Sequence, residues 1–200
     1  MKEDAHVRIG DTRTILESLG FDAERSNERS ALVLLALLKL RPDDPWPEAD
    51  ASPLGTRAIM DWIRDEYGVE YAPNTRETVR QFTLHQFVGA GLVQENPDDP
   101  SRPVNSPKWC YQIRAEALNV IRAYGSKPFD GQLADYLKAV PGLVAQYASE
   151  REMARIPVVL PDGSPVTLSP GGQNALIKEM VGGFCSYYAP GGQPSRGKTT

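Results

Sequence analysis

Six side chains able to make directed polar contacts gather within residues 75–108: Thr75, Arg76, Arg80, Gln81, His85 and Lys108. An arginine fork pairs bidentately with guanine, and a glutamine amide pairs in the same way with adenine. Hydroxyl and ammonium groups suit phosphate oxygens, which position a duplex without reading its sequence. At helical spacing Gln81 and His85 share one polar face, with Thr78 beside them and Arg80 at its margin. Such a set reads base edges only if a rigid element holds it in a groove.

The surrounding residues predict that element. Pro73 restricts Ala72 to an extended conformation. Asn74 is expected to cap a helix over 74–90, with Glu77 completing a capping box. Val79, Phe82, Phe87 and Ala90 form the arc expected to face the core, and Gly91 supplies the left-handed stop. Leu92–Glu95 reads as a strand. Residues 96–107 contain four prolines and read as a loop. Lys108–Ile113 alternates and pairs back, and Ala115–Tyr124 is a further helix. Upstream, Thr56–Tyr67 places Ile59, Met60 and Ile63 inward and is the first helix of a helix-turn-helix, with 68–73 as its turn. Helix, turn, helix, strand, loop, strand is the order of a winged helix, which offers its second helix to a DNA major groove. The same pattern also describes an amphipathic helix and hairpin in an ordinary core, with Arg76, Arg80 and His85 merely solvated.

The flanking segments supply the scaffold. Asp11–Leu19 is a short amphipathic helix through Ile15, Leu16 and Leu19, and Ala31–Leu40 is apolar almost all round, as a central buried helix should be. Trp46, in the Pro- and Asp-rich loop of 41–53, reads as a lid on the core. Beyond Gly125 the pattern predicts helices Leu133–Val140 and Leu143–Met153, separated at Pro141-Gly142. A hairpin over 156–168 turns at Asp162-Gly163. Gln173–Tyr188 is a last amphipathic helix whose apolar side, through Leu176, Ile177, Met180, Val181 and Phe184, needs a partner.

Composition bounds the function. Of 200 residues, 40% are hydrophobic and 24% charged, which suits a soluble globular protein with a real core. A net charge of −4 argues against a generally basic nucleic-acid coat but leaves room for a local positive face. Arg76, Arg80, Arg102 and Lys108 are interspersed with Glu77, Glu95, Asp98 and Asp99, so phosphate contacts alone should give modest affinity. Cys110 and Cys185 make no metal-ligand pair with His6 and His85, and Cys110 reads as a small buried hydrophobe in its strand. The absence of an apolar signal core or membrane-length run predicts a cytoplasmic protein. Gly192–Thr199 matches the literal P-loop pattern, but 189–191 do not form a strand before it and a phosphate-cradling helix does not follow. Nucleotide is therefore not expected as a ligand, and 191–200 read as a disordered tail.

Several ordered runs resemble the BsuBI/PstI-like type II restriction endonucleases. They are N-E-R-S-A-L-V-L-L-A-L-L (27–38), A-P-N-T-R-E-T (72–78), H-Q-F-V-G-A-G-L-V (85–93), E-N-P-D-D-P (95–100) and R-P-V-N-S-P-K (102–108). M-A-R-I-P-V (153–158), L-P-D-G and L-S-P-G-G-Q-N extend the likeness to about Gly191. Two positions depart from the family pattern. Arg80-Gln81-Phe82 stands where the family usually reads Arg-Arg-Gln, and Gln173 where it usually reads His. The resemblance implies cleavage of duplex DNA at CTGCAG, by an amino-terminal helix-turn-helix region and a Mg²⁺-dependent nuclease domain. Place on the helix and side-chain chemistry make Arg76, Arg80, Gln81 and His85 the candidates for base edges, and Thr75, at the helix start, and Lys108, at the wing, those for phosphate.

Nucleases of this kind hold Mg²⁺ through two acids, with a lysine two residues after the second. None of Lys2, Lys39, Lys108, Lys127, Lys138, Lys178 or Lys198 has an acid two residues before it. The expectation is therefore a chain with no catalytic residue, metal or cofactor of its own, Mg²⁺ belonging to the full-length family enzyme. The expected fold is mainly α with a small β component: a winged helix-turn-helix followed by helices and a hairpin leading toward a missing nuclease domain. The divisions are a helical lead-in (1–22), the winged-helix domain (23–126), a linker, hairpin and helix (127–190) and the tail (191–200). Double-stranded DNA is the expected partner, with a second copy or a separate nuclease fragment beside it, and not a membrane. A stand-alone winged-helix transcription regulator and a subunit of a split endonuclease are the alternative readings.

Overall fold

The structure is a computed structural model and describes residues 3–153, 156–159, 164–168 and 180. The Asp162-Gly163 turn, the 173–188 helix and the 191–200 tail lie outside the described residues, apart from position 180. Two units are distinguished: 1–98 with 110–147, and 99–109 with 148–200.

The first unit is built around α2 (Glu28–Leu38), whose residues 30–38 are all buried. Nine consecutive buried side chains leave no polar face, as its composition demands. Asn27 caps it by accepting from the Ser30 amide at 3.0 Å. Packed on α2 is α1 (Glu3–Ser18), which begins two turns before the Asp11 start expected from sequence. Ala5, Arg8, Ile9, Thr12, Ile15 and Leu16 are its buried stripe. The polar members hid the periodicity, and each makes hydrogen bonds to backbone carbonyls. Arg8 Nε donates to the Pro42 carbonyl at 3.2 Å and its guanidinium lies 4.4 Å from the centre of the Trp46 ring. Thr12 donates to the Arg8 carbonyl at 2.7 Å. Trp46 is 9% exposed and meets Tyr124 edge-on at 5.1 Å, so it does close over the core.

Also packed on α2 is α3 (Thr56–Tyr67), with Ile59 and Ile63 buried and Gly68 ending it at φ 68°. A turn leads to one helical segment from Thr75 to Gly89: α4 (Thr75–Val79), a π turn (Arg80–Leu84) and α5 (His85–Gly89). Gly91, at φ 72°, stops it. Leu92 N–H reaches the Phe87 carbonyl and Gly91 N–H the Val88 carbonyl, at 2.9 and 3.0 Å. Strand β1 (Val93–Glu95) pairs antiparallel with β2 (Tyr111–Ile113), Val93 opposite Ile113. The second strand is half the length expected, because Lys108 lies in a turn and Trp109 and Cys110 are irregular. Cys110 is half-buried rather than core, its Sγ 3.8 Å from an Asp98 carboxylate oxygen. An isolated antiparallel bridge joins Leu54, just before α3, to Tyr111 of β2.

Helix α6 (Ala115–Arg122) returns across the unit, and Arg122 donates to the Ala49 carbonyl at 2.9 and 2.6 Å. Helix α7 (Phe129–Met153) is continuous where two helices were expected. Pro141 lies inside it. Proline removes one backbone donor, yet the φ it imposes is itself helical, so the helix loses a hydrogen bond without having to end. Tyr136 of α7 is buried and its hydroxyl donates to Gly91 at 3.4 Å, fastening α7 to the end of the 75–89 segment.

In the second unit, residues 99–109 hold their own fold: Arg102 is 9% exposed and donates to the Lys108 carbonyl at 2.8 Å. The same unit carries the hairpin expected near 156–168, β3 (Ile156–Val159) with β4 (Pro165–Leu168), in the register Ile156 to Leu168.

Candidate nucleic-acid interface

The 75–89 segment is core on one side and wet on the other. Val79, Thr83, Leu84, Phe87 and Val88 are buried, whereas Arg76, Glu77, Gln81, Phe82 and His85 are exposed. Arg80 and Thr75 are half-buried. Five of the six residues singled out from sequence thus lie on one helical segment, with Arg76, Gln81 and His85 fully on its solvent side. The sixth, Lys108, is exposed in the loop of the second unit.

Two local expectations fail, for different reasons. Asn74 has φ −70° and ψ −17°, already helical, and its side chain does not cap the helix. A capping side chain needs an extended backbone to reach back to the first free amides. The turn enters through backbone bonds instead, Thr75 N–H to the Ala72 carbonyl at 2.9 Å. Glu77, freed from a capping box, accepts from Arg80 Nε at 3.0 Å and Nη2 at 2.5 Å, and from Gln81 Nε2 at 2.6 Å. These donors, Arg80 first and Gln81 second, hold the Glu77 carboxyl down at about 2. The carboxylate is fully exposed, so solvent screens the pair and it adds little to stability. Its effect is positional: two of the side chains suited to base edges share one carboxylate anchor.

Phe82 was expected inward and is 56% exposed. The π turn explains it. The His85 amide bonds to the Arg80 carbonyl, five residues back rather than four, which admits one extra residue into that turn. In an unbroken α-helix, at about 100° per residue, Phe82, Gln86 and Ala90 would follow Val79 onto the core, while Leu84 and Val88 faced water. The extra residue rotates the remainder of the helix by about one position. Leu84, Phe87 and Val88, at i, i+3 and i+4, then enter the core together. Burying two aliphatics in place of an amide and a ring favours that phase. The spacing of Leu84, Phe87 and Val88 is the sequence signal that could have revealed it.

Thr83 and Arg29 were also missed. Thr83, within the π turn, is fully buried, and Arg29 at the start of α2 donates to its hydroxyl from Nε at 3.2 Å. A buried hydroxyl requires such a partner. This bond ties the middle of the 75–89 segment to the central helix, across 54 positions of sequence, and its spacing alone gives no local signal.

Residues 6–145 match the family model described as the BsuBI/PstI restriction endonuclease HTH domain. The chain belongs to that family. It is 44% identical over 193 residues to the type II restriction enzyme BsuBI of Bacillus subtilis, covering 96% of this chain and 61% of that enzyme. It is 34% identical over 178 residues to the type II restriction enzyme AplI of Arthrospira platensis, covering 89% and 55%. The structure of SdaI restriction endonuclease superposes with a TM-score of 0.64 at 40% identity, over 92% of this chain and 57% of that one. The chain therefore spans a little over half the length of the relatives it matches.

The matched model is that of a helix-turn-helix domain, and its span takes in α3, the 68–74 turn and the 75–89 segment. Among the described residues, no group of three His, Cys, Asp or Glu side chains is placed to hold a metal ion. No described helix is long and apolar enough to cross a membrane.

Proposed function

We propose that these residues read duplex DNA as the recognition region of a type II restriction endonuclease with CTGCAG as its target. One observation carries this reading: the second helix of the helix-turn-helix buries one face against α2 and the hairpin, and leaves Arg76, Gln81 and His85 exposed on the other. The order α2, Leu54 bridge, α3, 75–89 segment, β1, β2 supports a winged helix, with the sheet flanking the reading helix. In this arrangement Arg76, Arg80, Gln81 and His85 face base edges. Thr75, at the start of the helix, and Lys108, in the loop, contact phosphate.

A palindromic target calls for two-fold pairing of chains on the DNA. DNA as partner places the protein in the cytoplasm. The hydrolytic chemistry, with its Mg²⁺, would be supplied by polypeptide outside these 200 residues, since none of their lysines follows an acid by two positions. Incubating the purified chain with plasmid and Mg²⁺ is expected to leave the plasmid intact, and cleavage would refute that assignment.

The binding test is fluorescence anisotropy of the chain on labelled duplexes carrying CTGCAG or a scrambled hexamer. Preference for CTGCAG is expected, and equal affinity for both would overturn the reading. Lys108→Ala should weaken both duplexes alike and lower the slope of log affinity against log salt by about 1. Loss confined to the CTGCAG duplex would remove Lys108 from the phosphate role.

A further inference from the structure

Phe82 has no place in the reading so far, and it is the one large apolar side chain exposed on the 75–89 segment. It stands next to Gln81 and three residues before His85, on the face assigned to DNA. Its exposure is a consequence of backbone geometry rather than of polarity, since the π turn that brings Leu84 into the core swings Phe82 out. Insertions of this type occur frequently at functional sites.

Resting on the recognition reading above, we propose that Phe82 is a specificity-determining residue that packs against the C5 methyl group of thymine in the target. The argument is one of chemical fit. A side chain at the middle of a helix lying in the major groove meets base edges rather than phosphate. Along those edges the donors and acceptors call for polar partners, and the thymine methyl is the apolar group to which a phenylalanine corresponds. Phe82 is 56% exposed, so its ring is free to meet an apolar group beside the polar contacts of its neighbours. CTGCAG offers one thymine on each strand, so a pair of chains would use the contact twice. The chemistry predicts selectivity for a single methyl group.

Deoxyuridine differs from thymidine at this edge only by that methyl. Affinities of the full chain would be measured on CTGCAG duplexes with thymine or with uracil at both positions, for the wild type, Phe82→Ala and Phe82→Leu. The wild type is expected to prefer thymine by about fourfold per contact, the worth of removing one methyl-sized group from water. Phe82→Ala should bind both duplexes equally, and Phe82→Leu, which keeps an apolar tip, should retain most of the preference. Because the residue is exposed, the melting temperatures of all three should agree. A wild type that prefers CTGCAG over a scrambled site but ignores the methyl overturns the Phe82 assignment and leaves the recognition reading standing. So does an alanine variant that keeps the full preference. Equal binding to CTGCAG and scrambled DNA would instead remove the recognition reading, and the Phe82 contact with it.

Discussion

Helix α2 and the 75–89 segment lie against each other and solve opposite problems. The first buries every side chain from Ser30 to Leu38, and its side-chain polar contacts are gathered at its start, where Asn27 caps it and Arg29 reaches Thr83. The second must be held rigidly while keeping a polar face free of the core. It meets both demands by giving up helical regularity at residues 80–84. A helix that only supports can follow its hydrophobic pattern without interruption. A helix that presents side chains has to reconcile two faces, and here the reconciliation costs one shifted turn.

The largest test of this contrast is Leu35→Ala in α2. Leu35 is fully buried, and its loss should cost about 2–5 kcal/mol, read as a lower urea midpoint. The matching substitution on the wet face, Gln81→Ala, should change stability by less than about 0.5 kcal/mol. In DNA discrimination the order is reversed: Gln81→Ala should relax preference at one base by about 1–3 kcal/mol, measured on single-position variants of the hexamer. A Gln81→Ala protein that unfolds early with its preference intact would dissolve the distinction between the two helices.

Thr83→Val probes the junction between them. It keeps the volume but leaves Arg29 without the hydroxyl it donates to, and about 1 kcal/mol of stability should be lost. An unchanged midpoint would show that the bond does not anchor the π turn.

The smallest effect concerns Glu77. Its carboxyl is depressed from an ordinary value of 4.5 to about 2 by Arg80 and Gln81. A depressed carboxyl favours the folded arrangement fully above pH 4.5 and loses that contribution as pH falls toward 2. At neutral pH the anchor is therefore intact. NMR of the Gln81 side-chain amide should show a transition with its midpoint well below 4.5, which Glu77→Gln abolishes. A midpoint at 4.5 would mean that Glu77 does not engage its neighbours in solution.

Much of the scaffold was legible from local pattern. Thr56–Tyr67, the glycine stop at Gly91 and the buried stretch from Ala31 each rest on residues a few positions apart. The exposed positions of Arg76, Gln81 and His85 were legible for the same reason. Their neighbours were less so. Asn74 carried a cap signal that the helical backbone at that position cancelled, and Glu77 then turned to Arg80 and Gln81. Phe82 was misplaced because a single helical period was applied across a turn that contains one more residue.

The sequence by itself determined the family, the helix-turn-helix and which polar side chains of the 75–89 segment stay in solvent, because those follow from residue types and ordered local patterns. Tertiary structure alone decided the phase of the 75–89 segment. Core burial of Leu84 and Val88 outweighed the regular backbone ladder, and that balance depends on the packing surface α2 provides. The Arg29–Thr83 bond and the Leu54–Tyr111 bridge belong to the same class: contacts between distant residues, stabilised only once the chain has closed the distance between them.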